Sequence, residues 1–124
     1  MRIHILRFFA IAAAVSSVRA ADPDYKITNI PAPDGVVLEV GGMDWMPDGR
    51  LMMCTRRGEI WSFQPEKSEW KQFASGLHEP LGLVAGKDNS EIYVLQRAEL
   101  TRITDTDKNG IAERFERFGK GWGY

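Results

Sequence analysis

Cysteine is almost missing from this chain: Cys54 is the only one in 124 residues, so no disulfide can close within it. The staples that many small exported domains rely on are therefore excluded. Cys54 stands in the apolar string Leu51–Cys54 and reads as a buried, inert thiol. There is no C-x-x-C-H string and no nearby Cys–His pair, which removes haem attachment and thiol catalysis. Histidine is equally scarce, with only His4 and His78. Long apolar runs are missing too. The longest, Phe8–Val15, falls well short of the ~20 residues needed to cross a bilayer. No nucleotide-binding glycine loop, G-x-S-x-G string or zinc-ligand spacing occurs. Helical periodicity is nearly absent before residue 110.

What is present begins with an export signal. Arg2 and Arg7 form a positive n-region, Phe8–Val15 an apolar h-region, and Val18 and Ala20 occupy the small-residue positions read by a signal peptidase. Cleavage is expected after Ala20, giving a signal peptide over residues 1–20 and a periplasmic, secreted or cell-surface product. The remaining segment, residues 21–124, loses Arg2, Arg7 and Arg19 and so carries 13 basic against 17 acidic residues. No basic stripe survives, which excludes nucleic acid as the expected partner. Hydrophobic residues at 44% and charged residues at 27% are globular values, and the length allows one small domain.

Short β-rich runs then alternate with turn signals. Strands are expected at Lys26–Ile30, Val36–Val40, Met43–Met46, Leu51–Thr55, Glu59–Phe63, Trp70–Phe73, Leu81–Ala85, Glu91–Gln96 and Leu100–Thr104. Pro47-Asp48-Gly49 is a strong turn, because proline presets φ and glycine accepts positive φ. The chain also resembles itself. Gly42–Phe63 lies over Gly82–Ile103 at an offset of 40 residues, with one extra residue in the second turn and one missing later. A period near 40 with about four strands per unit is the mark of a β-propeller blade. The expected fold is therefore all-β: the first blades of an incomplete propeller, within 21–124. Such a blade must cover both faces, and two blades leave faces open, so the isolated segment is expected to be poorly stable. The ending Gly119–Tyr124 shows no capping pattern, and a truncated chain is the expectation; the rival is a small protein that oligomerises to close a ring, which needs its exposed edge strands paired in trans.

The sharpest local motif is Asp105–Glu116, which satisfies D-x-D/N-x-D/N-G-x5-E in full. Asp105, Asp107 and Asn109 supply alternating oxygens, Gly110 the sharp bend, Ile111 its carbonyl, and Glu113 and Glu116 the later carboxylates. That is the oxygen set Ca²⁺ wants. The flank is not that of an EF-hand, since Leu100–Thr104 enters as a strand. If the exit is extended as well, Glu116 points away and Glu113 is the nearer ligand. Ile111, Phe115 and Phe118 fit a helical exit, whereas Ile111, Glu113 and Phe115 fit the favoured strand. The bland reading of the same residues is an Asp/Asn turn bonding to its own backbone. His78, in the Gly76–Pro80 stretch, is the single candidate general base, without an identifiable orienting partner. Trp45, Trp61, Trp70 and Trp122, with Met43, Met46, Met52 and Met53, read first as core rather than a cofactor platform. Arg56, Arg57, Arg97 and Arg102 read as solvated turn charges before anion ligands.

The string GGMDWMPDGRLMMCTRRGEIWSF resembles the opening blade of the soluble quinoprotein glucose/sorbosone dehydrogenase group. GLHEPLGLV, EIYVLQRAELTRI and DTDKNGIAERFERF are similar to the next stretch in the membrane-bound dehydrogenase family of large exported bacterial proteins. The resemblance covers about residues 25–124. It implies a six-bladed propeller, a pyrroloquinoline quinone cofactor with Ca²⁺, and a histidine base, for which His78 is the one candidate. It places most quinone ligands in later blades, so this chain is expected to be the inactive N-terminal part of a sugar or alcohol dehydrogenase, its partners the missing blades. The alternatives are a non-catalytic surface propeller binding carbohydrate or protein, and a remnant without a stable product.

Overall fold

A computed structural model describes residues 25–97 and 99–120. The signal peptide, its cleavage site and Trp122 lie outside the described residues. The chain divides into two units, Met1–Ile30 and Pro31–Tyr124. In the first, the described residues 25–30 form no strand, so the expected strand Lys26–Ile30 is not found.

The second unit holds eight strands in two four-stranded antiparallel sheets and, among the described residues, no α-helix. The first sheet runs β1 (Val40–Trp45), β2 (Leu51–Thr55), β3 (Ile60–Gln64) and β4 (Glu69–Ala74) in chain order. The second repeats this with β5 (Gly82–Ala85), β6 (Glu91–Gln96), β7 (Glu99–Thr104) and β8 (Arg114–Lys120). Only Val40 of the expected strand Val36–Val40 joins a ladder. The reason is local: Pro31 and Pro33 cannot donate hydrogen bonds, and a turn at Asp34-Gly35 draws the Val36 amide back to the Pro33 carbonyl.

Turn chemistry sets each reversal. Gly49 lies at φ 83° in the β1–β2 turn, where its amide reaches the Met46 carbonyl and the Asp48 carboxylate accepts from the Arg50 amide. Gly58 lies at φ 89° between β2 and β3, its amide bound to the Thr55 carbonyl. A 3₁₀ turn at Pro65–Lys67, ending on Ser68 at φ 50°, connects β3 to β4.

The ladders also fix how the sheets correspond. Trp45 pairs with Leu51 and Leu51 with Phe63, as Ala85 pairs with Ile92 and Ile92 with Ile103. Trp45 therefore matches Ala85 at an offset of 40, Leu51 matches Ile92 at 41, and Phe63 matches Ile103 at 40. Directly paired residues share a face, and successive residues alternate. One face of the first sheet thus carries Gly42, Asp44, Met52, Cys54, Ile60 and Ser62. The second sheet meets it with Leu83, Ala85, Ile92, Val94 and Ile103, and one buried apolar cluster joins these two faces. Met52, Cys54, Ile60, Ile92, Val94 and Ile103 are fully buried. Burial of a side chain of this kind contributes about 1.5–3 kcal/mol.

At the inner edge no side chain intervenes. A Cβ on Gly42 would lie 2.9 Å from the Gly82 Cα, and one on Gly41 only 2.6 Å from the Pro80 oxygen. Strands β1 and β5 therefore meet backbone against backbone. Polar bonds seal the same seam: the Ala85 amide donates to Asp44 Oδ2 at 2.9 Å, and the Asp48 amide to Asn89 Oδ1 at 2.8 Å.

Two glycine substitutions separate steric from conformational cost. Gly49→Ala meets open space at a left-handed φ and should cost about 1–2 kcal/mol. Gly42→Val drives a side chain into immovable backbone, so its cost should reach about 3 kcal/mol or more. Urea denaturation reads both, and the reverse order would contradict the close approach.

Candidate functional site

The β7–β8 connection, residues 105–113, leaves the second sheet at the end where the β1–β2 and β5–β6 turns also lie. Asp105 anchors it. Its carboxylate is buried, 2% exposed, and accepts from the Asn109 amide at 3.1 Å and the Gly110 amide at 2.7 Å. The Asp105 amide is itself held by the Ser90 carbonyl. Asp107 accepts from the Asn109 amide and side chain, and Asn109 Oδ1 accepts from the Ile111 amide. Gly110, at φ 86°, makes the bend. Each Asp or Asn thus caps the backbone two to five residues on, as Asp48 and Asp88 do in the shorter turns.

The exit is extended, not helical, because β8 starts at Arg114. Carboxylate oxygens of Asp105, Asp107 and Glu113 all lie within 4.8 Å of one another. Glu116 is not among them. It sits on β8 and takes Arg102 at 2.6 Å and Arg114 at 2.6 Å. Ile111 is half exposed, its amide committed to Asn109. Three convergent carboxylates with further loop oxygens suit a hard cation bound at 2.3–2.6 Å. Glu113 now spans the loop mouth, where it accepts from the Thr106 amide and hydroxyl.

The first sheet supplies what the motif did not reveal. Lys71 on β4 donates to the Asn109 carbonyl, and the Ala112 amide donates to the Phe73 carbonyl at 2.8 Å. These bonds tie the loop across the seam. Beside it a polar cleft of about 510 Å³ opens, lined by Arg50, Lys71, Asp88, Asn89, Asp105 and Lys108 among others. Sequence spacing could not locate Lys71, which comes from the other sheet 34 residues before Asp105.

His78 lies at the opposite end, in the β4–β5 connection. It is exposed, its amide donates to Gln96 Oε1 at 2.7 Å, and its carbonyl accepts from the Arg97 amide at 2.9 Å. Among the described residues none bonds to its ring. The structure does not bring His78 together with the Asp105 loop. The arginines are paired with carboxylates: Arg56 and Arg57 with Glu39, Arg97 with Glu79, Arg102 with Glu116. Trp61 donates to Glu59, Trp70 donates to the Pro31 carbonyl and packs against Phe63 with ring centroids 4.8 Å apart and planes tilted by 44°, and Trp45 stands exposed. No family model matches the chain, and neither a curated protein nor a solved structure matches it.

Charge pairing on the second sheet sets an acid limit. Hydrogen bonding to Arg102 holds the Glu116 carboxyl below its ordinary value of 4.5, and Arg117 does the same for Glu99. Both folded values are depressed, so their contribution is complete above that ordinary value and lost as pH falls through the lowered ones. The urea midpoint should therefore fall below pH 4.5, and Arg102→Met should flatten that fall. An unchanged profile in Arg102→Met would remove the pair from the account.

Proposed function

We propose that this chain builds two neighbouring blades of an exported β-propeller and carries a Ca²⁺ site in the loop that ends the second blade. The observation that supports it is the equivalence of the two sheets. They share strand order and ladder offsets, and their innermost strands lie backbone to backbone while the outer strands fan away. Radial arrays of four-stranded sheets are built in this way. In this reading Asp105, Asp107 and Glu113 hold the ion, with Asn109 and Ile111 supplying further oxygens, and Glu116 serves the Arg102 pair instead.

The resemblance to quinoprotein sugar and alcohol dehydrogenases gives the larger context. There the redox chemistry belongs to pyrroloquinoline quinone, most of whose ligands come from later blades, and these two blades serve chiefly as scaffold. His78 would act only if further blades surrounded it. The polar cleft beside the Asp105 loop favours the second reading, a non-catalytic propeller that binds carbohydrate at the cell surface. Quinone-dependent dye reduction with aldoses, measured on a polypeptide carrying further blades, separates them. Turnover supports the dehydrogenase, and its absence with retained sugar binding supports the binding module.

Calcium is tested on this chain directly. Saturating Ca²⁺ should raise Tm by about 5 °C or more, through selective binding to the folded state. Asp105→Ala should abolish both the calorimetric heat and the Tm shift, and Glu113→Gln should weaken them at least tenfold in affinity. Glu116→Gln should leave the heat unchanged. A titration that depends on Glu116 and not Glu113 would overturn this ligand set.

A further inference from the structure

The polar cleft at the turn end of the seam is unlike an ordinary ligand pocket. Such pockets are lined mainly by apolar and aromatic side chains. Here, among the described residues, every residue on the wall except Gly110 carries a polar or charged side chain. An apolar ligand gains little burial against such a wall, and a neutral sugar finds no aromatic ring to lie on. What the wall offers depends on which of its groups are already engaged. Its carboxylates are Asp48, Glu69, Asp88 and Asp105, and its cations Arg50, Lys67, Lys71 and Lys108. Asp48 is paired with Arg50 at 2.8 Å, and Asp105 is filled by the Asn109 and Gly110 amides. Asp88 takes the hydroxyl and amide of Ser90, which hold its carboxyl below the ordinary range, with a smaller contribution from the Lys108 charge. The lysines are different. Among the described residues Lys67, Lys71 and Lys108 form no ion pair, and Lys71 spends only one of its donors, on the Asn109 carbonyl.

We propose that this cleft binds a sugar acid, a polyol carrying one carboxylate such as a hexuronate, between the ammonium groups of Lys67, Lys71 and Lys108. This rests on the carbohydrate-binding reading above and names the ligand class for it. The three lysines come from the 3₁₀ turn, from β4 and from the Asp105 loop, so both sheets contribute charge to one cleft. An ammonium donates hydrogen bonds and accepts none, so the uncommitted groups of the wall are chiefly donors. That surplus calls for an acceptor-rich anion. A phosphate group fits less well. Phosphate sites are built from free backbone amides, and here the Ser90, Asn109 and Gly110 amides are taken by Asp side chains. Glu69 and Asp88 also repel a dianion more than a single carboxylate. With one carboxylate on the lysines, Glu69 and the Gln64 amide are left to receive ring hydroxyls. The volume, about 510 Å³, lies within the span of small-molecule sites, roughly 300–1,000 Å³.

Titration of D-glucuronate, D-glucose and inorganic phosphate into the isotope-labelled chain, followed by amide NMR shifts with EDTA present, tests this without involving Ca²⁺. Glucuronate should shift the Lys67, Lys71, Asn109 and Gly110 amides and saturate. Glucose and phosphate should each bind at least tenfold more weakly. Lys67→Gln and Lys108→Gln, both at exposed positions, should each weaken glucuronate at least threefold. Lys87→Gln, exposed but off the cleft wall, should leave it unchanged. The dispersion of each variant's amide spectrum shows that it is folded. Glucose binding here as tightly as glucuronate would leave the carbohydrate reading standing and remove the sugar acid. If neither sugar binds, both fall. Phosphate binding as tightly as glucuronate would make the cleft a general oxyanion site and overturn the proposal. So would an equal loss in Lys87→Gln, which marks a diffuse charge effect, or no loss in Lys67→Gln and Lys108→Gln.

Discussion

The close approach of β1 to β5 governs this structure. Two sheets can be brought to within backbone contact only where side chains are missing, and Gly41 and Gly42 provide that opening against Pro80–Leu83. Once the inner strands touch, the sheets can diverge only outward. That divergence leaves a wedge which Met52, Ile60, Phe73, Ile92 and Ile103 fill from the two sides. The polar links from Asp44 to Ala85 and from Asp48 to Asn89 then fix the relative height of the sheets. Glycine thus sets the geometry, and apolar burial supplies most of the free energy.

The Asp105 loop depends on the same seam. Its Asx turns would form in any short connection of this composition. Its position relative to the first sheet comes from Lys71 and Phe73, which are brought within reach only because the sheets are wedged together. Local sequence chemistry shapes the loop, and tertiary packing places it. The loop's carboxylates converge while Glu116, three residues beyond Glu113, is carried to another face by the alternation of β8.

Much of the fold was legible in the sequence because strands with strong turn signals announce themselves. Leu51–Thr55 and Glu91–Gln96 were read to the residue, and the one-residue insertion near Asp88 reappears in the ladder offsets. The run Lys26–Ile30 misled because β-branched residues favour an extended chain without supplying a partner strand. In the loop, the motif gave Asp105, Asp107 and Glu113 but could not decide Glu116, whose direction follows from strand or helix at the exit. Lys71 was invisible, since no local pattern encodes a contact made across two sheets. His78 was singled out as a scarce residue type, and scarcity says nothing about surroundings.

The account stands on Gly42 and Gly82 meeting without intervening side chains, and proton NMR reads that distance directly. A strong NOE between the α protons of Gly42 and Gly82 is predicted, alongside the cross-strand NOEs of each sheet. Both sets of cross-strand NOEs without the Gly42–Gly82 signal would show two folded sheets that do not share this seam, and would contradict the account.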